Sequence, residues 1–153
     1  MTHIKKLFKV VCFLIICGIS LVASNTEYIV TINSKKTGKP RKNDSMIKVR
    51  LNSYRDKAVL MTLNISKDDI DGGETTTFSS KNHYYGVMHE AMVCRVDHKD
   101  DWNLNYLRLM VVKFIHKLQR NVIQIINFNR EACWVNHCCT LEADLKSMKI
   151  FLD

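Results

Sequence analysis

The stretch YGVMHEAMVCRVDHKDDWNLNYLRLMVV, residues 85–112, contains two extended apolar runs joined by a very polar segment. Apolar and polar residues that alternate with a period of two are typical of a strand covering a core on one side. In the first run one parity is shared by Met88, Met92, Cys94 and Val96, and polar residues such as His89 and Arg95 occupy the other. We therefore predict two strands paired as a hairpin, with the apolar parity facing the core.

The second run changes parity partway along. Trp102 and Leu104 share one parity, whereas the aliphatic residues after them, Leu107, Leu109 and Val111, lie on the other. An extra residue in one strand restores a common inward face. The pattern thus predicts a β-bulge near Asn105 and Tyr106.

Alternating or β-branched runs elsewhere predict further strands, at residues 28–32, 47–51, 58–65, 75–78, 122–128 and 133–135. The C-terminal segment has apolar residues at helical spacing, which predicts a short helix carrying Leu141, Leu145, Met148 and Leu152. Together the runs indicate an all-β fold, an antiparallel β-sandwich of about eight strands.

The N-terminus has the order of a secretory signal peptide. Three lysines precede an apolar run at residues 10–22, and small residues follow it. The run is short for a membrane span, so we predict a leader over residues 1–24, cleaved after Ser24, with an uncleaved anchor as the alternative. The mature domain, residues 25–153, would then include a C-terminal extension that contains cysteines.

Loss of the leader would lower the formal net charge from +8 to +5, because three lysines leave with it. A mildly basic surface favours anionic lipid headgroups, sulfated glycans or acidic proteins. Apart from the basic stretch at residues 35–42 the cations are scattered, and no aromatic residues are interleaved with them, so no nucleic-acid partner is expected.

Cysteine usage indicates an oxidising compartment. Two cysteines lie in the leader, and the four that remain are Cys94, Cys133, Cys138 and Cys139. We expect one long-range disulfide from Cys94 into the C-terminal cluster and one short disulfide within that cluster. A zinc site formed by His137 and these thiols is the alternative.

Four stretches resemble the PLAT domain, the β-sandwich of lipoxygenases, pancreatic-type lipases, polycystin and clostridial alpha-toxin. They are EYIVTINSKKTGK, NDSMIKVRLNS, the stretch from YYGVMHEAMV to NYLRLMVV, and FNREACWV. The resemblance implies loop carboxylates at Asp44, Asp97 and Asp100, where calcium would bind if any metal does. No other cofactor is expected.

Two sequons, at Asn43 and Asn64, are candidates for glycosylation in a secreted protein. The histidines are scattered and no Gly-x-Ser-x-Gly motif is present, so no enzymatic activity is expected.

The resemblance implies docking. We expect a non-catalytic module that binds a lipid or membrane surface, or a lipid-associated protein, with Tyr84, Tyr85 and Trp102 as interface candidates. The alternative is an effector or inhibitor that binds an extracellular protein. The oligomeric state stays open.

Overall fold

A computed structural model describes residues 26–35, 44–96, 104–128 and 138–153. Over these ranges nine strands form two antiparallel sheets, and one short helix connects two of the strands. This confirms the predicted β-sandwich. The elements are β1 (Thr26–Ser34), β2 (Ser45–Ser53), β3 (Ala58–Ile65), α1 (Lys67–Gly72), β4 (Thr75–Asn82), β5 (Met88–Arg95), β6 (Leu104–Ile115), β7 (Arg120–Phe128), β8 (Cys138–Glu142) and β9 (Lys149–Leu152). In this part of the chain no helix has the length and hydropathy of a membrane span.

The five-stranded sheet has the order β4-β1-β6-β7-β9, and the four-stranded sheet has the order β3-β2-β5-β8. Strands β5 and β6 therefore belong to different sheets, and the predicted hairpin is wrong. β5 pairs with β2 and β8, whereas β6 pairs with β1 and β7. The two strands that flank the polar segment thus lie in opposite sheets of the sandwich.

The core lies between the sheets and follows the predicted alternation in the first three strands. In β2 every second residue is buried, and Ile47, Val49 and Leu51 are fully so. Tyr28, on β1, is also fully buried, and β3 contributes four further core residues. Burial of each aliphatic side chain in this core stabilises the fold by about 1.5–3 kcal/mol.

The predicted inward face of β5 is wrong beyond its first residue. Met88 pairs with Ser53 and Glu90 pairs with Asn52, so His89 is an extra residue that reverses the parity. The inward side chains are Ala91, Val93 and Arg95, while Met92 and Cys94 are half-buried and Val96 is exposed.

The bulge predicted in β6 is confirmed. Tyr106 pairs with Asn33 and Leu104 pairs with Ser34, which leaves Asn105 as the additional residue. The exposed Asn105 Nδ2 donates a hydrogen bond of 2.7 Å to Asn33 Oδ1 across the strands. Leu104 and Leu107 are consequently both buried.

The predicted C-terminal helix is wrong, because the segment forms β8, a turn and β9. β8 pairs with β5, and β9 is an edge strand that pairs with β7. In the intervening turn Asp144 N donates to Asn127 O at 2.8 Å, and Asp144 Oδ1 accepts from Lys146 N at 3.2 Å. Leu141 is buried whereas Leu152 is exposed, so the spacing does not mark one buried helix face. The strand predicted at 133–135 lies outside the described residues.

A disulfide joins Cys94 to Cys138, which confirms the predicted long-range bridge. The two residues are direct cross-strand partners, so the bond fixes edge strand β8 to β5. Cys139 is also disulfide-bonded, to a partner outside the described residues. The short bridge within the cluster, with Cys133, stays a prediction.

Candidate functional site at one end of the sandwich

Three connections meet at one end of the sandwich: residues 54–57 between β2 and β3, 83–87 between β4 and β5, and 116–119 between β6 and β7. Thr26 at the start of β1 pairs with Asn82 on one side and Lys113 on the other. Ser53 at the end of β2 pairs with Met88. We call these three connections the tyrosine end.

Tyr28 holds the 83–87 loop in place from inside the core. Its hydroxyl donates a hydrogen bond to His83 O at 2.9 Å and accepts one from Tyr85 N at 3.1 Å. Burial raises the pKa of Tyr28, and the backbone hydrogen bond from Tyr85 opposes that shift only in part. A fully buried hydroxyl with two backbone partners gives this loop a defined position.

The same loop is also fixed to the β2–β3 turn. Tyr54 N donates to Val87 O at 3.3 Å. Gly86 has φ of 96°, which side chains with a Cβ rarely adopt, and a Cβ there would lie 3.4 Å from Arg55 Cδ. A larger residue at position 86 would therefore strain the loop backbone, because of the positive φ and not because of the contact with Arg55.

Tyr84 and Tyr85 lie in this loop, but both are half-buried. Tyr85 Oη donates to Asn82 Oδ1 at 3.0 Å. Tyr84 packs against the core, and Lys113 Nζ lies 4.0 Å from its ring centroid, within the range of a cation–π contact. The two predicted interface residues are thus neighbours that support the surface instead of projecting from it.

Two other residues project from the tyrosine end. Tyr54 is 63% exposed and stacks its ring 4.5 Å from that of His89, and Leu118 is 55% exposed in the β6–β7 turn. That turn is closed by Leu118 N donating to Ile115 O at 3.0 Å. Sequence reasoning missed both residues. The available signal was a single large apolar residue inside a polar, basic turn, as in YRDK and HKLQR.

The tyrosine end is rich in cations. Within the three connections Arg55, Lys57 and Lys117 accompany one carboxylate, Asp56. Lys113 and Arg120 lie on the strands beside the 116–119 turn, and one carboxylate residue, Asp153, pairs there with Asn121. An end with this charge attracts anions.

Asp44, a predicted calcium ligand, lies at the opposite end of the sandwich. It is exposed, and its Oδ1 accepts a hydrogen bond of 3.0 Å from Lys67 N. Among the residues that the structure describes, no group of three metal-binding side chains is found. The other two predicted carboxylates, Asp97 and Asp100, lie outside those residues.

The residues that flank the segment carrying Trp102 also lie at that opposite end. Arg95 ends β5 and Leu104 begins β6, far along their strands from the tyrosine end. Trp102 itself is outside the described residues, as is Asn43. The second sequon asparagine, Asn64, is exposed on edge strand β3.

A cleft of ≈ 160 Å³ lies beside Tyr84, on the inward-facing side of strands β6 and β7. Its walls are mainly apolar and are formed by Tyr84, Val111, Lys113, Ile115, Val122, Gln124 and Ile150. Gln124 is only 6% exposed, and its Nε2 donates to Met148 Sδ at 3.2 Å. Gln124 Oε1 has no hydrogen-bond partner among the described residues.

No protein-family profile and no characterised protein sequence matches the chain. Solved lipoxygenase structures match its fold. A calcium-dependent 11R-lipoxygenase has a TM-score of 0.56 at 14% identity, with 77% of this chain and 17% of that chain covered. An engineered LOX variant has a TM-score of 0.56 at 13% identity, with 78% and 16% covered.

The similarity is consistent with the predicted PLAT-like β-sandwich, and at this identity it establishes a shared fold alone. The chain spans about a sixth of the length of the lipoxygenase chains that it matches.

Proposed function

We propose that the protein is a secreted, non-catalytic binding module that docks onto an anionic lipid surface through its tyrosine end. The observation that carries the proposal is the combination of projecting Tyr54 and Leu118 with the surrounding cations Arg55, Lys57 and Lys117. Amphipathic aromatic and aliphatic side chains enter the headgroup region, while cations on the same surface pair with lipid phosphates.

The expected affinity follows from these groups. Burial of the exposed part of Leu118 and Tyr54 contributes about 1–2 kcal/mol each. Each cation close to an anionic surface adds about 1 kcal/mol. These contributions total about 6 kcal/mol before the cost of immobilising the protein at the surface is subtracted. The docking is therefore weak and reversible, and it requires several groups to act together.

Two further observations support a secreted, lipid-associated role. The disulfide between Cys94 and Cys138 is of the kind that persists in oxidising compartments. Among the proteins with a similar fold is a LOX variant solved in complex with arachidonate, at a TM-score of 0.55.

Vesicle co-sedimentation tests the proposal, with anionic and neutral vesicles, each with and without calcium. The wild-type protein should pellet with anionic vesicles, and Leu118→Gln should weaken binding about tenfold because an apolar contact is lost. Leu60→Gln is the matched control, since Leu60 is 70% exposed on strand β3 and outside the tyrosine end. Absence of pelleting with every vesicle, or equal losses in both variants, would rule the proposal out.

Binding to an extracellular protein is the second candidate function, and the outer face of the five-stranded sheet favours it. On that face adjacent strands present a set of half-buried or exposed apolar side chains: Ile29, Met110, Val112, Ile123, Ile125 and Phe151. Apolar patches of this kind mark interaction sites.

A charge placed on that face tests the second function. In affinity capture from the protein's native fluid, a stoichiometric partner should bind the wild type and be lost with Val112→Lys. Leu118→Gln should retain the partner, because it alters the tyrosine end only. A protein captured equally by wild type and Val112→Lys would argue against use of this face.

A further inference from the structure

We propose that the cleft beside Tyr84 binds a single-chain amphiphile that carries a phosphate and a free hydroxyl group, as a lysophospholipid does. The inference rests on the proposed lipid-surface function and deepens it, because it assigns one lipid molecule to a defined site. Three properties of the cleft carry the argument: its apolar walls, the buried amide of Gln124 and the cation of Lys113.

The size and walls of the cleft suit part of an alkyl chain. At ≈ 160 Å³ it is smaller than pockets that hold a drug-sized molecule or cofactor, which occupy about 300–1,000 Å³. A water-sized group takes about 30 Å³, so the cleft holds roughly five such groups. Ile115, Val122 and Ile150 supply aliphatic contact, and Ile150 is 59% exposed, so the chain has an exit beside edge strand β9.

Gln124 supplies a specific polar contact. A buried amide oxygen without a partner is costly, at about 1–3 kcal/mol, and native structures rarely retain one without a reason. Because Oε1 is an acceptor, the group that it lacks is a donor. A hydroxyl group of the ligand meets that need within apolar walls.

Lys113 lies close enough to Gln124 to bind the same headgroup. Lys113 pairs with Val122 across β6 and β7, and Val111 pairs with Gln124, so the two polar residues are diagonal neighbours on the inner face. Such neighbours have Cα atoms roughly 7–8 Å apart. A phosphate at Lys113 and an adjacent hydroxyl at Gln124 span that distance, and both groups belong to one glycerol phosphate.

Calorimetric titration with monomeric 1-acyl glycerol phosphates of increasing chain length tests the proposal, below their micelle concentrations. Binding should be one-to-one, and each added methylene should tighten it about fourfold until the cleft is full. Lys113→Gln should weaken binding at least about tenfold, since a charged hydrogen bond is lost. Lys48→Gln is the matched control and should leave the affinity unchanged, because Lys48 is exposed on β2, outside the tyrosine end, and does not line the cleft.

The role of Gln124 is tested with Gln124→Leu and a paired probe, an alkyl phosphate that lacks the hydroxyl. The variant should bind the hydroxyl-bearing probe about fivefold more weakly and the other probe equally well. Equal losses for both probes would remove the hydroxyl from the assignment.

Absence of saturable binding, or binding that neither Lys113→Gln nor Gln124→Leu changes, would overturn the cleft as a lipid site. The two proposals fail separately. Vesicle pelleting without monomer binding would refute the cleft alone. Monomer binding without vesicle pelleting would refute docking at the tyrosine end and leave the cleft standing.

Discussion

Replacement of Tyr28 by phenylalanine would remove the hydroxyl group that holds the 83–87 loop while keeping the ring in the core. Two hydrogen bonds are lost, the one donated to His83 O at 2.9 Å and the one accepted from Tyr85 N at 3.1 Å. Each contributes about 0.5–1.5 kcal/mol, and a buried N–H left without a partner costs about 1–3 kcal/mol. We therefore expect Tyr28→Phe to lower the free energy of unfolding by about 2–3 kcal/mol.

Urea unfolding followed by circular dichroism measures this loss. With a slope of about 1–3 kcal/mol per molar urea, the midpoint should fall by about 1–2 M at an unchanged slope. Tyr106→Phe is the matched control, because its hydroxyl lies on an exposed contact 3.4 Å from Thr75 Oγ1. That variant should stay within about 0.5 kcal/mol of wild type. If Tyr28→Phe also stays within that range, the loop does not depend on the buried hydroxyl.

The remaining predictions concern stability. The double variant Cys94→Ala, Cys138→Ala opens a cross-link between residues that are 44 positions apart in sequence. Thermal and urea unfolding should show that the free energy of unfolding falls by about 4 kcal/mol. A decrease of less than about 1 kcal/mol would contradict the chain-entropy argument. Gln124→Leu removes a buried acceptor that lacks a partner together with the weak Nε2 hydrogen bond to Met148 Sδ, and it should raise stability by about 1 kcal/mol without ligand. A loss of more than about 1 kcal/mol, which exceeds the contribution of the Met148 contact, would mean that Oε1 is satisfied in solution. Burial raises the pKa of Tyr28 above its usual 10.0, so the folded state holds the phenol proton more tightly than the unfolded state does. The contribution of this proton to the free energy of unfolding is complete below pH 10 and falls as the pH rises above 10. Urea titrations across alkaline pH should show a steeper decline in wild type than in Tyr28→Phe, and parallel declines would exclude this contribution.

Much of the sandwich could be predicted from alternation alone. In β2 the strict sequence of buried and exposed side chains leaves one inward face, so Ile47, Val49 and Leu51 could be assigned directly. The parity change in β6 required an additional residue, and Asn105 provides it. Both predictions rest on geometry that neighbouring residues determine.

Features set by distant partners could not be predicted in this way. The bulge at His89 leaves no sequence signal, and it turns Met92 and Cys94 outward while Arg95 faces inward. A polar segment after a strand fits a hairpin turn and a crossover between sheets equally well, so the pairing of β5 with β6 was open. The spacing of the apolar residues in the C-terminal segment is compatible both with a helix and with a strand–turn–strand arrangement.

The candidate site was predicted in part. Tyr84 and Tyr85 do lie at one end of the sandwich, but the hydroxyl of Tyr28 and the side chain of Lys113 hold that loop against the body. Neither contact is visible in the local sequence, since more than fifty residues separate Tyr28 from Tyr85. The sequence around Gln124 is that of an ordinary strand, and only its neighbours across the sheet show that it lines a cleft.

The position of β1 between β4 and β6 has a consequence for synthesis. Thr26 emerges from the ribosome early, yet its partners Asn82 and Lys113 follow only after most of the chain. Strands β2 and β3 are joined by a four-residue loop and can pair early. Strand β1 stays unpaired for longer, with Tyr28, Val30 and Ile32 exposed to solvent. Strand pairing between residues far apart in sequence is slow, and the intermediates that precede it are prone to aggregate. The centre of the larger sheet can therefore form only late in folding, after β4 and β6 are available to pair with β1.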